Sequence, residues 1–125
     1  MSFSSRYKEM QLKIVATPHG DDLVIALDGM LSAADAGTAQ IELLKLSGAC
    51  TGRVVLDCTK LTYVASIGLR ALLALHRNTT GRTKGLWLAG LTPAVRHILE
   101  IAGLYPHFTH TETVEQALGA GPAAK

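Results

Sequence analysis

Two short apolar runs near the start of the chain, Leu12–Ala16 and Leu23–Leu27, read as strands. Between them lie Pro18, His19, Gly20, Asp21 and Asp22, whose turn-forming residues predict an antiparallel hairpin. In the second run Leu23, Ile25 and Leu27 share one face while Val24 and Ala26 share the other, the pattern of a strand covered on both sides. A loop follows Asp28-Gly29. A helix is then predicted over about Ala33–Leu46, with Ser32 as N-cap and Asp35 at the positive end of the helix dipole. Its apolar face carries Ala34, Ile41 and Leu44, with Gly37 on the same side, and Ser47-Gly48 ends it.

Arg53–Cys58 reads as a short buried strand, and Leu69, Leu72, Leu73 and His76 then recur at helical spacing. Leu86–Ala89 is the next strand. Thr92 as N-cap and Pro93 at the first helical position open another helix, lined on one side by Val95, Ile98, Leu99 and Ala102. Gly103 stands where a left-handed terminator belongs, and Leu104 can fold back onto the helix. A short strand near Phe108 and a short helix over Thr113–Leu118, opened by a T-V-E-Q capping box, complete the pattern. A hairpin followed by alternating strands and helices predicts an α/β fold. The sheet is mixed, of four to five strands, with the antiparallel hairpin first, parallel strands after it, and about four helices packed on it. No repeat or linker interrupts it, so residues 10–118 are expected to form one domain, with 1–9 and 119–125 as flexible ends.

Composition narrows the class. The 125 residues are 48% apolar and 18% charged, as in a globular domain. Twelve basic and ten acidic residues leave a net charge of +2, too balanced to point to nucleic acid or an anionic membrane. Cys50 and Cys58 lack CxxC spacing and read as reduced thiols of a cytoplasmic protein. Met1–Glu9 is polar, without the apolar run of a signal peptide. The stretch around Leu69–Leu75 contains Arg70 and closes on His76 and Arg77, which rules it out as a membrane span. The five histidines show no HExxH spacing, and His107 and His110 read as polar residues of a late loop rather than metal ligands. No metal or cofactor is expected, and Trp87 reads as a packed strand residue.

The segment with the most chemistry is Leu61–Leu73, L-T-Y-V-A-S-I-G-L-R-A-L-L. A buried strand ending at Asp57-Cys58 leads through a short loop to Ser66, which stands at or just inside a helix N-terminus. Unpaired N–H groups and the positive dipole end gather there, so the position tolerates a phosphate on the serine itself. Arg70 follows one helical turn later, within reach of such a phosphate. The simplest reading of a serine before an apolar helix is an N-cap. Ala65-Ser66-Ile67-Gly68 lacks the first glycine of a G-x-S-x-G elbow, so a catalytic nucleophile is not indicated and no enzyme activity is expected. Asp57 is expected to bond loop N–H groups and orient Ser66.

Four segments in order give the chain a family likeness: L-D-G-M-L-S (Leu27–Ser32), V-V-L-D-C-T (Val54–Thr59), Y-V-A-S-I-G-L-R-A-L-L (Tyr63–Leu73) and L-A-G-L-T-P-A-V-R-H-I-L-E-I-A-G-L (Leu88–Leu104). In these it resembles the STAS family, which includes bacterial anti-sigma factor antagonists, over about Leu12–Leu118. The resemblance implies the STAS fold and makes Ser66 the phospho-acceptor. It also implies a switch surface of Gly29, Met30, Ser32, Val64, Ala65, Ser66, Ile67, Gly68 and Arg70. The chain departs from the family pattern where Ala65 and Ser32 replace typical acids and where Ile67 replaces a second hydroxyl. The partners implied are a GHKL-type serine kinase that doubles as anti-sigma factor, and a phosphoserine phosphatase; a weak homodimer is compatible with this. Unmodified antagonist would bind the kinase and free its sigma factor, and phosphorylation would end binding. Two other readings stand beside it: an accessory subunit of a lipid or anion transporter with a constitutive protein–protein role, and nucleotide binding, for which no glycine-rich phosphate loop is present.

Overall fold

The computed structural model describes residues 11–120. Strand β1 (Lys13–His19) and strand β2 (Asp22–Leu31) form the antiparallel hairpin. The turn is tighter than expected, only Gly20 and Asp21, because Pro18 and His19 continue β1. β1 is an edge strand, and there a proline's missing N–H disrupts little. β2, β3 (Val54–Val64), β4 (Leu86–Ala89) and β5 (Thr109–Thr111) run parallel, in the order β1-β2-β3-β4-β5. The expected mixed sheet is present, with helices α1 (Ala36–Ser47), α2 (Ser66–Thr79), α3 (Pro93–Ile101) and α4 (Val114–Leu118).

Two strands run past their expected ends. β2 continues through Asp28-Gly29 to Leu31, and β3 through the expected loop to Val64. Register shifts at Ala26/Asp28 and Gly29/Met30 explain why neither was legible. Bulges break the two-residue alternation, so the inward residues of late β3 are Cys58, Leu61 and Val64, spaced by three.

Helix α1 corrects a second expectation. Residues 33–35 form a turn, and the helix starts at Ala36. Its buried residues are Ala36, Ala39, Leu43 and Ser47, while Ile41 is 70% exposed, Ala34 exposed and Leu44 half-buried. Small side chains at Ala36 and Ala39 let α1 lie close against α2 and β2, so size rather than hydropathy selects the face. In α3, Val95 and Leu99 are buried as expected, but Ala102 is exposed. Thr92 caps α3 by accepting the Val95 N–H and also donates to the Leu61 carbonyl, tying the helix to late β3. Gly103 (φ 74°) ends α3, and the Leu104 N–H returns to the Leu99 carbonyl. Thr113 opens α4 by accepting the Gln116 N–H, while Gln116 Oε1 accepts from Glu112 N–H.

The larger core lies on one face of the sheet, where Ile25, Leu27, Val54, Leu56, Leu86 and Leu88 meet apolar residues of α1, α2 and α3. On the other face α4 covers Val24, Val55, Trp87 and Ala89. Trp87 is thus a packed strand residue, with the Arg53 guanidinium 5.8 Å from its ring. Arg53 also bridges to Asp22 at 3.1 Å and donates to the Ala120 carbonyl. Of the ends expected to be flexible, 1–9 and 121–125 lie outside the described residues, and Gly119 and Ala120 are tied to the domain as cap and acceptor. Cys50 and Cys58 are free and buried. No helix among the described residues is long and apolar enough to cross a membrane.

Candidate functional site

The site is built where β2 and β3 end together. Met30 pairs with Tyr63 and Leu31 with Val64, and the Ala65 N–H extends the ladder to the Leu31 carbonyl at 2.9 Å. Ala65 is extended (φ −72°, ψ 162°), and its carbonyl accepts the Leu69 N–H at 3.1 Å, starting α2. A single residue therefore separates strand from helix. Ser66 is the first residue of α2 and not its cap. Alanine at the cap position offers no side-chain acceptor, so the first amides of α2 keep no side-chain partner. The Ser66 side chain is exposed and makes no hydrogen bond among the described residues.

Packing beneath the serine is tight. A Cβ on Gly68 would lie 2.8 Å from Leu31 Cγ, 3.0 Å from the Leu31 carbonyl oxygen and 3.1 Å from Val64 Cγ1. Glycine at that position lets the first turn of α2 sit directly on the ends of β2 and β3. Three large apolar side chains are exposed at this junction: Met30 at 40% and Tyr63 at 47%, paired near the ends of β2 and β3, and Ile67 at 45% beside Ser66 in α2. Arg70 is exposed one turn along the same helix.

The loop beside this surface is held from below. Asp35, 5% exposed, accepts the Gln11 N–H at 2.8 Å, and its own N–H donates to Ser32 Oγ at 3.3 Å. Ser32 thus caps a turn ahead of α1 rather than the helix, and Asp35, the N-cap residue of α1 at the positive end of its dipole, also tethers the chain before β1.

This arrangement, a serine at the first helical position after paired parallel strands, can be set against known proteins. The profile described as Mlab, STAS domain, matches residues 15–106. The chain belongs to the STAS family. A protein of Bordetella bronchiseptica named as a candidate anti-sigma factor antagonist, BtrV, is 33% identical over 98 residues, covering 78% of this chain and 84% of the relative. An anti-sigma factor antagonist from Mycobacterium paratuberculosis shares the fold with a TM-score of 0.77 at 20% identity, over 86% of this chain and 91% of that one. SpoIIAA, an anti-sigma factor antagonist, aligns in its unphosphorylated form with a TM-score of 0.63 at 20% identity, over 86% of this chain and 92% of that one. Its phosphorylated form, from Bacillus, aligns at 0.60 with 21% identity, over 86% and 96%.

Within this STAS domain the residues expected to form one surface divide. Gly29, Met30, Ser32, Ala65, Ser66, Ile67 and Arg70 lie at the shared end of β2, β3 and α2. Val64 is only 2% exposed and Gly68 is buried, so both support the surface from beneath and offer no side chain to a partner. Asp57 is a correction too. Its Oδ1 accepts from Thr59 N–H at 3.1 Å and Thr59 Oγ1 at 2.8 Å, and seven residues of β3, roughly 25 Å of strand, separate it from Ala65. Tyr63 is the outward residue that sequence reasoning missed. Reading β3 to Val64 would have found it, as the partner of Met30.

Proposed function

We propose that this STAS domain is an anti-sigma factor antagonist, a binding regulator rather than an enzyme, switched by phosphorylation of Ser66. The observation that carries the reading is an exposed serine at an uncapped helix start, next to the strand ends where Met30 and Tyr63 are exposed and beside the exposed Ile67. A neutral hydroxyl can enter an apolar interface at small cost. A phosphate brings about −1.5 to −2 charges, which must be desolvated there. Each ~1.4 kcal/mol of that penalty lowers affinity about tenfold. The uncapped amides and the positive end of α2 can hold the phosphate in the free protein, so modification need not disturb the fold. Kinship with BtrV and likeness to SpoIIAA support the same reading. The partner is a GHKL-type serine kinase acting as anti-sigma factor, opposed by a phosphoserine phosphatase.

Incubation with its GHKL-type kinase and ATP should add one phosphate, placed on Ser66 by mass spectrometry. Ser66→Ala should bind that kinase constitutively, and Ser66→Asp at least about tenfold more weakly. A phosphate elsewhere, or equal affinity of the two variants, would reject the switch. The apolar flanks, with Ala65 and Ile67 beside the serine, also favour a second reading. In it the same surface docks permanently on a transporter ATPase as an accessory subunit. Copurification with such an ATPase, unchanged in Ser66→Asp, would select it.

A further inference from the structure

A crevice of about 750 Å³ lies away from Ser66, just past the points where the ladder joining β3, β4 and β5 stops at Asp57, Ala89 and Thr111. Its size is that of a small-molecule site. The proposed switch makes no use of it.

Its lining has a particular donor and acceptor balance. Thr59 Oγ1 donates its proton to Asp57 Oδ1 at 2.8 Å, and Thr111 Oγ1 donates to the Thr113 carbonyl at 2.8 Å. Both hydroxyls are therefore committed as donors and retain lone pairs for an incoming O–H. Glu112 adds a carboxylate acceptor to the same wall. Gln116 Oε1 is engaged by the Glu112 N–H at 2.9 Å, which leaves its NH₂ as a donor. Arg96 binds Glu100 through Nε at 3.2 Å, and its terminal nitrogens make no hydrogen bond among the described residues. The Tyr105 ring stacks on His110 at 4.2 Å and carries the Arg96 guanidinium at 5.0 Å, so it is already engaged and offers little to a nucleobase. Burial and then the Arg96 charge lower the His110 pKa, which leaves Arg96 as the cation of the wall at neutral pH.

We propose that this crevice binds a small polyhydroxylated anion, a sugar phosphate or a sugar acid, with its anionic group on Arg96 and its hydroxyls on Thr59, Thr111 and Glu112. The anion supplies what one free guanidinium fork pairs best, and the hydroxyls supply the donors that three acceptors lack.

The test is an amide NMR titration of the whole protein with glucose 6-phosphate, gluconate, neutral sorbitol and inorganic phosphate. Saturable shifts at Gly90, Thr111 and Gln116 are expected with glucose 6-phosphate or gluconate at millimolar concentration, and which of the two binds tighter identifies the anionic group. Sorbitol and inorganic phosphate should each bind at least about tenfold more weakly. Arg96→Gln should cost a similar factor and Gln116→Ala a smaller one, with both spectra remaining folded, while Ser66→Ala should bind as the parent does. The proposal is overturned by the absence of saturable shifts with both polyol anions. It is equally overturned by shifts centred elsewhere, by equal binding of sorbitol or phosphate, or by full binding in Arg96→Gln. None of these results bears on Ser66.

Discussion

At the scale of single residues, the site depends on small side chains. Gly29 sits in β2 at φ 116°, outside the range open to other residues, and a Cβ there would lie 2.6 Å from the Gln11 carbonyl oxygen. Its own carbonyl accepts the Thr62 hydroxyl at 3.0 Å, which links β2 to late β3. Gly29→Ala is expected to destabilise the protein by about 1–3 kcal/mol, seen as a lower urea midpoint. An unchanged midpoint would mean that the bulge relaxes without strain. Cys58 shows the opposite environment. Burial first, and Asp57 second, push its thiol up to about 12, which keeps it out of thiolate chemistry.

At the scale of elements, the switch surface depends on how β3 hands the chain to α2 and how α3 braces late β3. Beyond Asp57, β3 loses β4 as a neighbour, and α3 takes over on that side. Thr92 joins the two through one hydroxyl that caps α3 and donates to Leu61. Thr92→Ala removes both bonds and should cost about 1–2 kcal/mol. Hydrogen exchange should then quicken at the α3 amides and across Leu61–Val64. Faster exchange confined to α3 would separate the cap from the strand contact. α2 behaves differently, because its cap position is Ala65 and its start is held by packing of Gly68 on Leu31. Such a helix start has free amides and a firm seat at once.

At the scale of the whole molecule, the sheet places two distinct regions at the ends of its parallel strands. The Ser66 surface caps β2 and β3, and the Arg96–Tyr105–His110 crevice lies at the ends of β4 and β5. The second region gives the domain a pH signature. His110 titrates below its ordinary value, so the folded chain refuses a proton that the unfolded chain accepts near pH 6.5. The stability tied to its neutral form is present above that pH and is lost as pH falls through the lowered value. His110→Gln should therefore lose less stability than the parent between pH 7 and about pH 5.5, measured by urea unfolding at each pH. An identical loss in both would show that His110 does not contribute.

The sequence by itself determined the hairpin, the order of strands and helices, the Thr92-Pro93 start and Gly103 stop of α3, and Ser66 at the head of α2. These are local signals, set by turn chemistry, capping and periodicity within one turn or one strand. What it misread shares a different cause. The reach of β3 to Val64, the buried face of α1 and the tether of Asp35 to Gln11 each depend on a neighbour distant in sequence. Bulges shift the inward residues of β3 to a spacing of three, and close helix packing buries Ala36 and Ala39 while leaving Ile41 outside. Only tertiary structure could therefore leave Met30, Tyr63 and Ile67 exposed near the head of α2, because which side of each element faces solvent is decided by what packs against the other.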